Sequence, residues 1–217
     1  MKNGILVFAL LAFLGAHLWA KDSLVLTDKG VACDLGAPGI ITLGIPALDG
    51  KGTHVPAFSA SIQTDGKTLT AKYGAPFDGV ALTMKVLDGG NVQYQYMSLP
   101  KDLHLVMCQF NLPADSIPPG LAVSFDKSAP KTIPAEPGKT NKDANLVSTN
   151  AKTVEIKWPA GETLALTSPK CWHGIQDSRV WGKKFVGICL TPPVARDMKD
   201  GDTSTFVMTF AVTPAAP

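Results

Sequence analysis

Apolar residues in this chain recur with a period of two, and the alternating runs face one another across short turns, which restricts the fold to paired strands. An Asp65-Gly66 turn predicts Ile62 opposite Leu69, Ala60 opposite Ala71 and Phe58 opposite Tyr73, with Ser59, Ser61, Thr70 and Lys72 on the other face. A three-residue loop, Asp88-Gly89-Gly90, predicts Val86 opposite Val92, Met84 opposite Tyr94 and Leu82 opposite Tyr96. The loop Pro159-Ala160-Gly161 predicts Ile156 opposite Leu164 and Val154 opposite Leu166, with Thr153 and Thr167 outward. In each hairpin the turn chemistry and the apolar pattern select the same register. A one-residue slip would turn every side chain to the wrong face.

Two segments are apolar on both faces, Leu103 to Phe110 and Lys184 to Leu190, and read as central strands. A final strand from Thr205 to Val212 directs Phe206, Met208, Phe210 and Val212 inward. No helical period exists beyond the first twenty residues, and 20 Gly and 17 Pro supply turns for many short strands. Hydrophobic residues at 45% provide a core, and charged residues at 18% are too few for a disordered chain. The expected fold is all-β: one two-layer antiparallel β-sandwich, jelly-roll or immunoglobulin-like, over residues 21–217. Ser128 to Asn145 and Asn111 to Gly120 read as long surface loops.

Lys2, the apolar run Gly4 to Trp19 and the small residue Ala20 before Lys21-Asp22 have the form of a secretory leader over residues 1–20, cut after Ala20 or alternatively Ala16. The run is shorter than the roughly 20 residues that span a bilayer, so no stable membrane insertion is expected after cleavage. Gly30-Val31-Ala32-Cys33 is separated from the run by the charged stretch Lys21 to Lys29, which excludes lipid attachment at Cys33. Export to the periplasm or the extracellular space permits two disulfides among Cys33, Cys108, Cys171 and Cys189, in any of three connectivities. Cys33 with Cys108 and Cys171 with Cys189 is the preferred set, because residues 171–175 and 185–189 can oppose each other across a turn near Val180. There is no CxxC pair, and His54, His104 and His173 are scattered, so no metal or other cofactor is expected.

The densest group of chemically distinctive residues runs from Cys171 to Lys184. Trp172 and Trp181 offer flat aromatic faces for the C–H side of a pyranose, and Gln176, Asp177 and Arg179 offer directional hydrogen bonds to hydroxyls. These five form the candidate ligand site. Each also has a structural explanation: Trp172 packing on a disulfide, Trp181-Gly182 closing a hairpin, and Asp177 with Arg179 as a local ion pair.

The run Gln176-Asp177-Ser178-Arg179-Val180-Trp181-Gly182 resembles a Q-D-x-R-x-W-G segment of secreted bacterial β-sandwich domains from carbohydrate-active and cell-surface proteins. The resemblance implies a non-catalytic sandwich domain associated with glycan processing, and it bears on Gln176, Asp177, Arg179, Trp181 and Gly182.

A glycosidase or lyase would need two acids facing one groove. The acids considered are Asp177, Glu155, Glu162, Asp197, Asp200 and Asp202, of which Glu155 lies on the outward face of its strand. Gly-x-Ser-x-Gly, His-Glu-x-x-His and phosphate-cradling glycine loops are absent. A formal charge of +2 gives no electrostatic reason to expect nucleic acid. The expected function is binding of carbohydrate or a cell-surface glycan without chemistry, the partner being a glycan or a cell-surface protein. A structural or protein-interaction sandwich, using a sheet edge or the Ser128 to Asn145 loop, is the alternative, and a hydrolase or lyase on the same scaffold is the third.

Overall fold

The computed structural model describes residues 24–50, 53–101, 103, 105–192 and 199–215. The expected leader, His104 and Asp197 lie outside the described residues. The strands in chain order are β1 (Leu24–Thr27), β2 (Gly30–Asp34), β3 (Ile40–Gly44), β4 (Ala47–Gly50), β5 (Thr53–Val55), β6 (Gln63–Thr64), β7 (Thr68–Lys72) and β8 (Ala81–Val86). They continue with β9 (Asn91–Leu99), β10 (Leu105–Pro113), β11 (Ala122–Phe125), β12 (Lys131–Thr132), β13 (Asn145–Lys157), β14 (Thr163–Asp177), β15 (Phe185–Thr191) and β16 (Asp202–Thr213). Among the described residues no helix is long and apolar enough to cross a membrane.

All strand pairs are antiparallel, and one hydrogen-bonded path runs β1-β2-β3-β10-β15-β14-β16-β9-β8-β7-β6. The long hairpin β13–β14 organises it. Along one edge β14 pairs with β13, and along the other it changes partner, from β16 at Thr163–Thr167 to β15 at Trp172–Asp177. The change coincides with a bulge between the pairs Ala151–Cys171 and Thr153–Thr167, where Pro169 needs no ladder donor. Asp126 secures the bulge by accepting the N–H groups of Lys152 and Thr153, each at 2.9 Å. The two wings meet again where Leu26 N–H donates to Gly66 O at 2.8 Å and Thr64 Oγ1 donates to Leu26 O at 3.0 Å.

The result is a nearly closed barrel, not the two-layer sandwich expected from a chain of many short strands. The expectation took such a chain to divide into two packed layers. β15 is buried through Val186, Gly187, Ile188, Cys189 and Leu190, yet its outer face is covered by side chains of its neighbours. A twisted sheet of this many strands, apolar on one face, buries that face by curling on itself.

The Asp88–Gly90 and Pro159–Gly161 hairpins have the predicted registers, with Met84 opposite Tyr94 and Val154 opposite Leu166. β16 likewise enters the sheet with Phe206, Met208 and Phe210 buried. Phe206 stacks on Tyr94 and Tyr96 at centroid separations of 5.0 and 6.1 Å. The Asp65-Gly66 hairpin differs. Asp65 Oδ1 accepts the N–H groups of Lys67 at 2.9 Å and Thr68 at 2.6 Å, which widens the turn so that Thr64 faces Leu69. Ser59–Ser61 coils into a 3-10 turn and Phe58 is exposed, whereas Leu69, Ala71 and Tyr73 keep their inward face. Asn111–Pro113, placed in a loop by the sequence, extends β10, and Lys131–Thr132 within the other expected loop pairs with β11.

All four cysteines are free and buried, contrary to the predicted disulfides. Cys171 shares its face of β14 with His173 and Ile175, toward the core, whereas Cys189 pairs with Gly174 on the outer face. The β14–β15 register differs by three residues from the one that would oppose Cys171 to Cys189. An odd shift puts the two sulfurs on opposite sides of the wall. Cys33 and Cys108 both face inward, but the row Val31–Leu43–Phe110 separates them. Cys33 lies two residues to one side of it and Cys108 two to the other. That offset is about 13 Å along the strands, beyond the roughly 7 Å that a disulfide spans between Cα atoms.

Candidate functional site

Alternation along β14 divides the candidate residues between two faces. Asp177 faces inward and is completely buried, with Cys171, His173 and Ile175 on the same side; Trp172 and Gln176 face outward and are half-buried.

The inward pair is a clamp. Arg179 holds Asp177 with two parallel bonds, Nε to Oδ1 and Nη2 to Oδ2, each 2.8 Å. Two of the other guanidinium hydrogens donate to Ala135 O at 2.8 Å and Pro134 O at 2.7 Å, and Asp177 N–H donates to Ala144 O at 2.7 Å. The Asp177 carboxylate, first among its causes, holds the guanidinium pKa above its usual value. Asp177 and Arg179 therefore form the local ion pair that the sequence allowed, and they fasten the loop between β12 and β13 to the end of β14. Trp181 sits on the same turn, exposed, with Nε1 donating to Asn141 Oδ1 at 3.0 Å.

The outward residues form a platform. The registers of β13, β14, β15 and β10 arrange them in three rows: Asn150–Trp172–Thr191, Ser148–Gly174–Cys189–Gln109, and Gln176–Gly187–Asn111. Strands lie about 4.8 Å apart and successive rows about 6.7 Å, so the rows make a surface on the scale of a sugar ring. Trp172 Nε1 donates to Ser148 Oγ at 2.9 Å, which draws the indole down across Gly174. A Cβ on Gly174 would lie 2.5 Å from Trp172 Cη2 and 2.6 Å from Cζ2, so only glycine lets the ring rest against the sheet. Gly187 performs the same service for Gln109, whose Nε2 would lie 2.6 Å from an added Cβ.

Gln109 Nε2 donates to Asn111 Oδ1. The Cys189 thiol donates to Gln109 Oε1 at 3.4 Å and lies 3.8 Å from Gln176 Oε1. Burial pushes that thiol up to about 12, so it remains a neutral donor beneath the amides. None of the ten residues in the three rows is ionisable in the neutral range, so the platform is an aromatic face bordered by uncharged donors and acceptors.

Behind the platform, Cys171 Sγ lies 3.4 Å from His173 Nε2 and 3.4 Å from Ser168 Oγ. Burial raises the thiol and lowers the imidazole, the latter against weaker upward effects of the Ala151 backbone and Asp126. Both shifts favour the neutral forms of the two groups. Of the acids considered, Glu155 is exposed on the outer face and Glu162 is buried. Asp200 accepts from Lys101 N–H at 2.9 Å, and Asp202 accepts from Lys199 N–H at 2.8 Å.

Sequence reasoning found Trp172 and Gln176 but missed Gln109, Asn111, Gly174 and Gly187. The glycines carried the available signal. An isolated glycine inside a strand, as in Val186-Gly187-Ile188, marks a close approach by another group, and on a half-buried sheet that group is a neighbour's side chain lying flat. Comparison with protein-family models and with curated proteins finds no match to this chain.

Proposed function

We propose that this chain is an exported, non-catalytic protein that binds a neutral glycan on the outer face of β13, β14, β15 and β10. The observation that carries the reading is the indole of Trp172, laid against the sheet over Gly174 beside the amides of Gln176, Gln109 and Asn111. Trp172 stacks on the apolar face of a pyranose, while the amides, which donate and accept, bind hydroxyls. Neutrality of the rows selects an uncharged sugar. Asp177 and Arg179 support the site by fixing the end of β14, since both are occupied by each other and by the loop. Export rests on the leader-like residues 1–20, and the resemblance of Gln176 to Gly182 to secreted β-sandwich segments agrees with a glycan-facing role.

The test is a glycan array probed with the full chain, Trp172→Ala and Trp181→Ala, each checked for folding by circular dichroism. The expected result is binding to neutral glycans that falls at least about tenfold, or about 1.4 kcal/mol, in Trp172→Ala and remains in Trp181→Ala. Absence of binding by the wild type, or equal binding by wild type and Trp172→Ala, would overturn the reading.

A further inference from the structure

The barrel wall has a hollow between β3 and β10 that shares Asn111 with the platform and is otherwise lined by different residues. The ladder between β3 and β10 consists of the single pair Leu43–Phe110, although β2 and β3 are joined over five pairs. No further bridge joins the two strands beyond that pair. Ile40, Ile41 and Thr42 on one side and Asn111, Leu112 and Pro113 on the other line a cavity of about 510 Å³. Its inner wall is apolar, formed by Leu35, Leu121 and Trp158, all three otherwise buried in the core. Its rim is polar: Lys29, Thr42, Asn111 and Ser116. Ile40 stands at the lip, 71% exposed. Lys29 is the single ionisable side chain of the lining, and among the described residues no carboxylate lies within ion-pair distance of it.

A volume of this size, an apolar wall and a few polar groups at one end are the features of a small-molecule site. The apolar wall takes hydrocarbon out of water, and the lone ammonium at the rim favours an anion at the end that stays in solvent. We propose that this hollow binds a single-chain amphiphile with a carboxylate head, its chain against Trp158 and Leu121 and its carboxylate at Lys29. Asn111 borders both sites, but the ligand differs in class from the neutral glycan of the outer face, and the proposal rests on Lys29, Leu121 and Trp158, which the platform does not use.

The test uses the full chain with Trp19→Phe, Trp172→Phe and Trp181→Phe, which leaves Trp158 as the single indole. Dodecanoate, below its micellar concentration, is titrated by calorimetry, and an ω-brominated dodecanoate by quenching of indole fluorescence. The expected result is saturable one-to-one binding with quenching. Lys29→Glu should weaken dodecanoate at least tenfold but leave dodecanol binding unchanged, and Ser116→Trp, which fills the rim, should weaken both. Failure of dodecanoate to bind, binding insensitive to both substitutions, or stronger binding of dodecyltrimethylammonium would overturn the proposal. So would co-sedimentation with anionic vesicles in the absence of dodecanoate binding. Glycan binding by Lys29→Glu at the wild-type level separates failure here from failure of the platform.

Discussion

The ring of Trp172 occupies the space into which a side chain on Gly174 would project, 2.5 Å from the position of its Cβ. Two residues apart on one strand, they share an outward face, and the smaller one sets the posture of the larger. Gly174→Ala should therefore lift the indole off the sheet. The expected outcome is a stability loss of about 1–3 kcal/mol, the usual range for overpacking, read from urea denaturation. Glycan affinity should fall with it, because the stacking face is tilted.

The Asp177–Arg179 pair predicts a larger effect. The Arg179 side chain is 8% exposed and that of Asp177 is fully buried, so Arg179→Ala leaves a carboxylate without its partner. The expected cost is about 3–5 kcal/mol, with Arg179→Lys intermediate because a lysine cannot reproduce the two parallel bonds. Limited proteolysis should then cut between Ser128 and Asn145 faster than in the wild type, since the Ala135 and Pro134 carbonyls lose their donors. Unchanged cleavage would separate the clamp from the order of the loop.

Four buried thiols define a chemical prediction. A thiol reagent at pH 8 should label none of the cysteines in the native protein and all four after denaturation without reductant. Two disulfides in the purified chain would contradict the strand registers.

Titration of buried groups sets a pH window for stability. Cys33 and Cys189 are pushed up to about 12 from 9.0 by burial, so the stability tied to their neutral forms is complete below pH 9 and is lost as pH rises toward 12. His173 is lowered from 6.5 by burial, so its contribution is complete above pH 6.5 and is lost as pH falls through its depressed native value. Urea midpoints should therefore form a plateau between about pH 6.5 and 9 and decline on either side. His173→Gln should flatten the decline just below the plateau.

How much of this was legible in the sequence depends on how local each determinant is. The Asp88–Gly90 and Pro159–Gly161 hairpins were readable because the turn and the strands it joins lie within one short segment. The Asp65-Gly66 hairpin misled because a side chain, Asp65, captured two backbone N–H groups and replaced the tight turn by a wider one. β14 and β15 were correctly seen as neighbours, but the four-residue 3-10 turn at Ser178–Trp181 changed the register by an odd number, and the cysteine pairing failed with it. Closure into a barrel was out of reach, since it depends on Leu26 meeting Gly66 across distant segments. For the site, Trp172 and Gln176 stood out by residue type. Gln109 and Asn111 did not, because only the pairing of β10 with β15 brings them to the same surface.

The most direct test of the glycan platform is the indole Nε1–H region of the ¹⁵N–¹H spectrum during titration with a neutral oligosaccharide that the array selects. The account predicts that the Trp172 resonance, whose proton is donated to Ser148, shifts progressively and saturates while that of Trp158 stays fixed. A saturating titration that leaves the Trp172 resonance in place would contradict it.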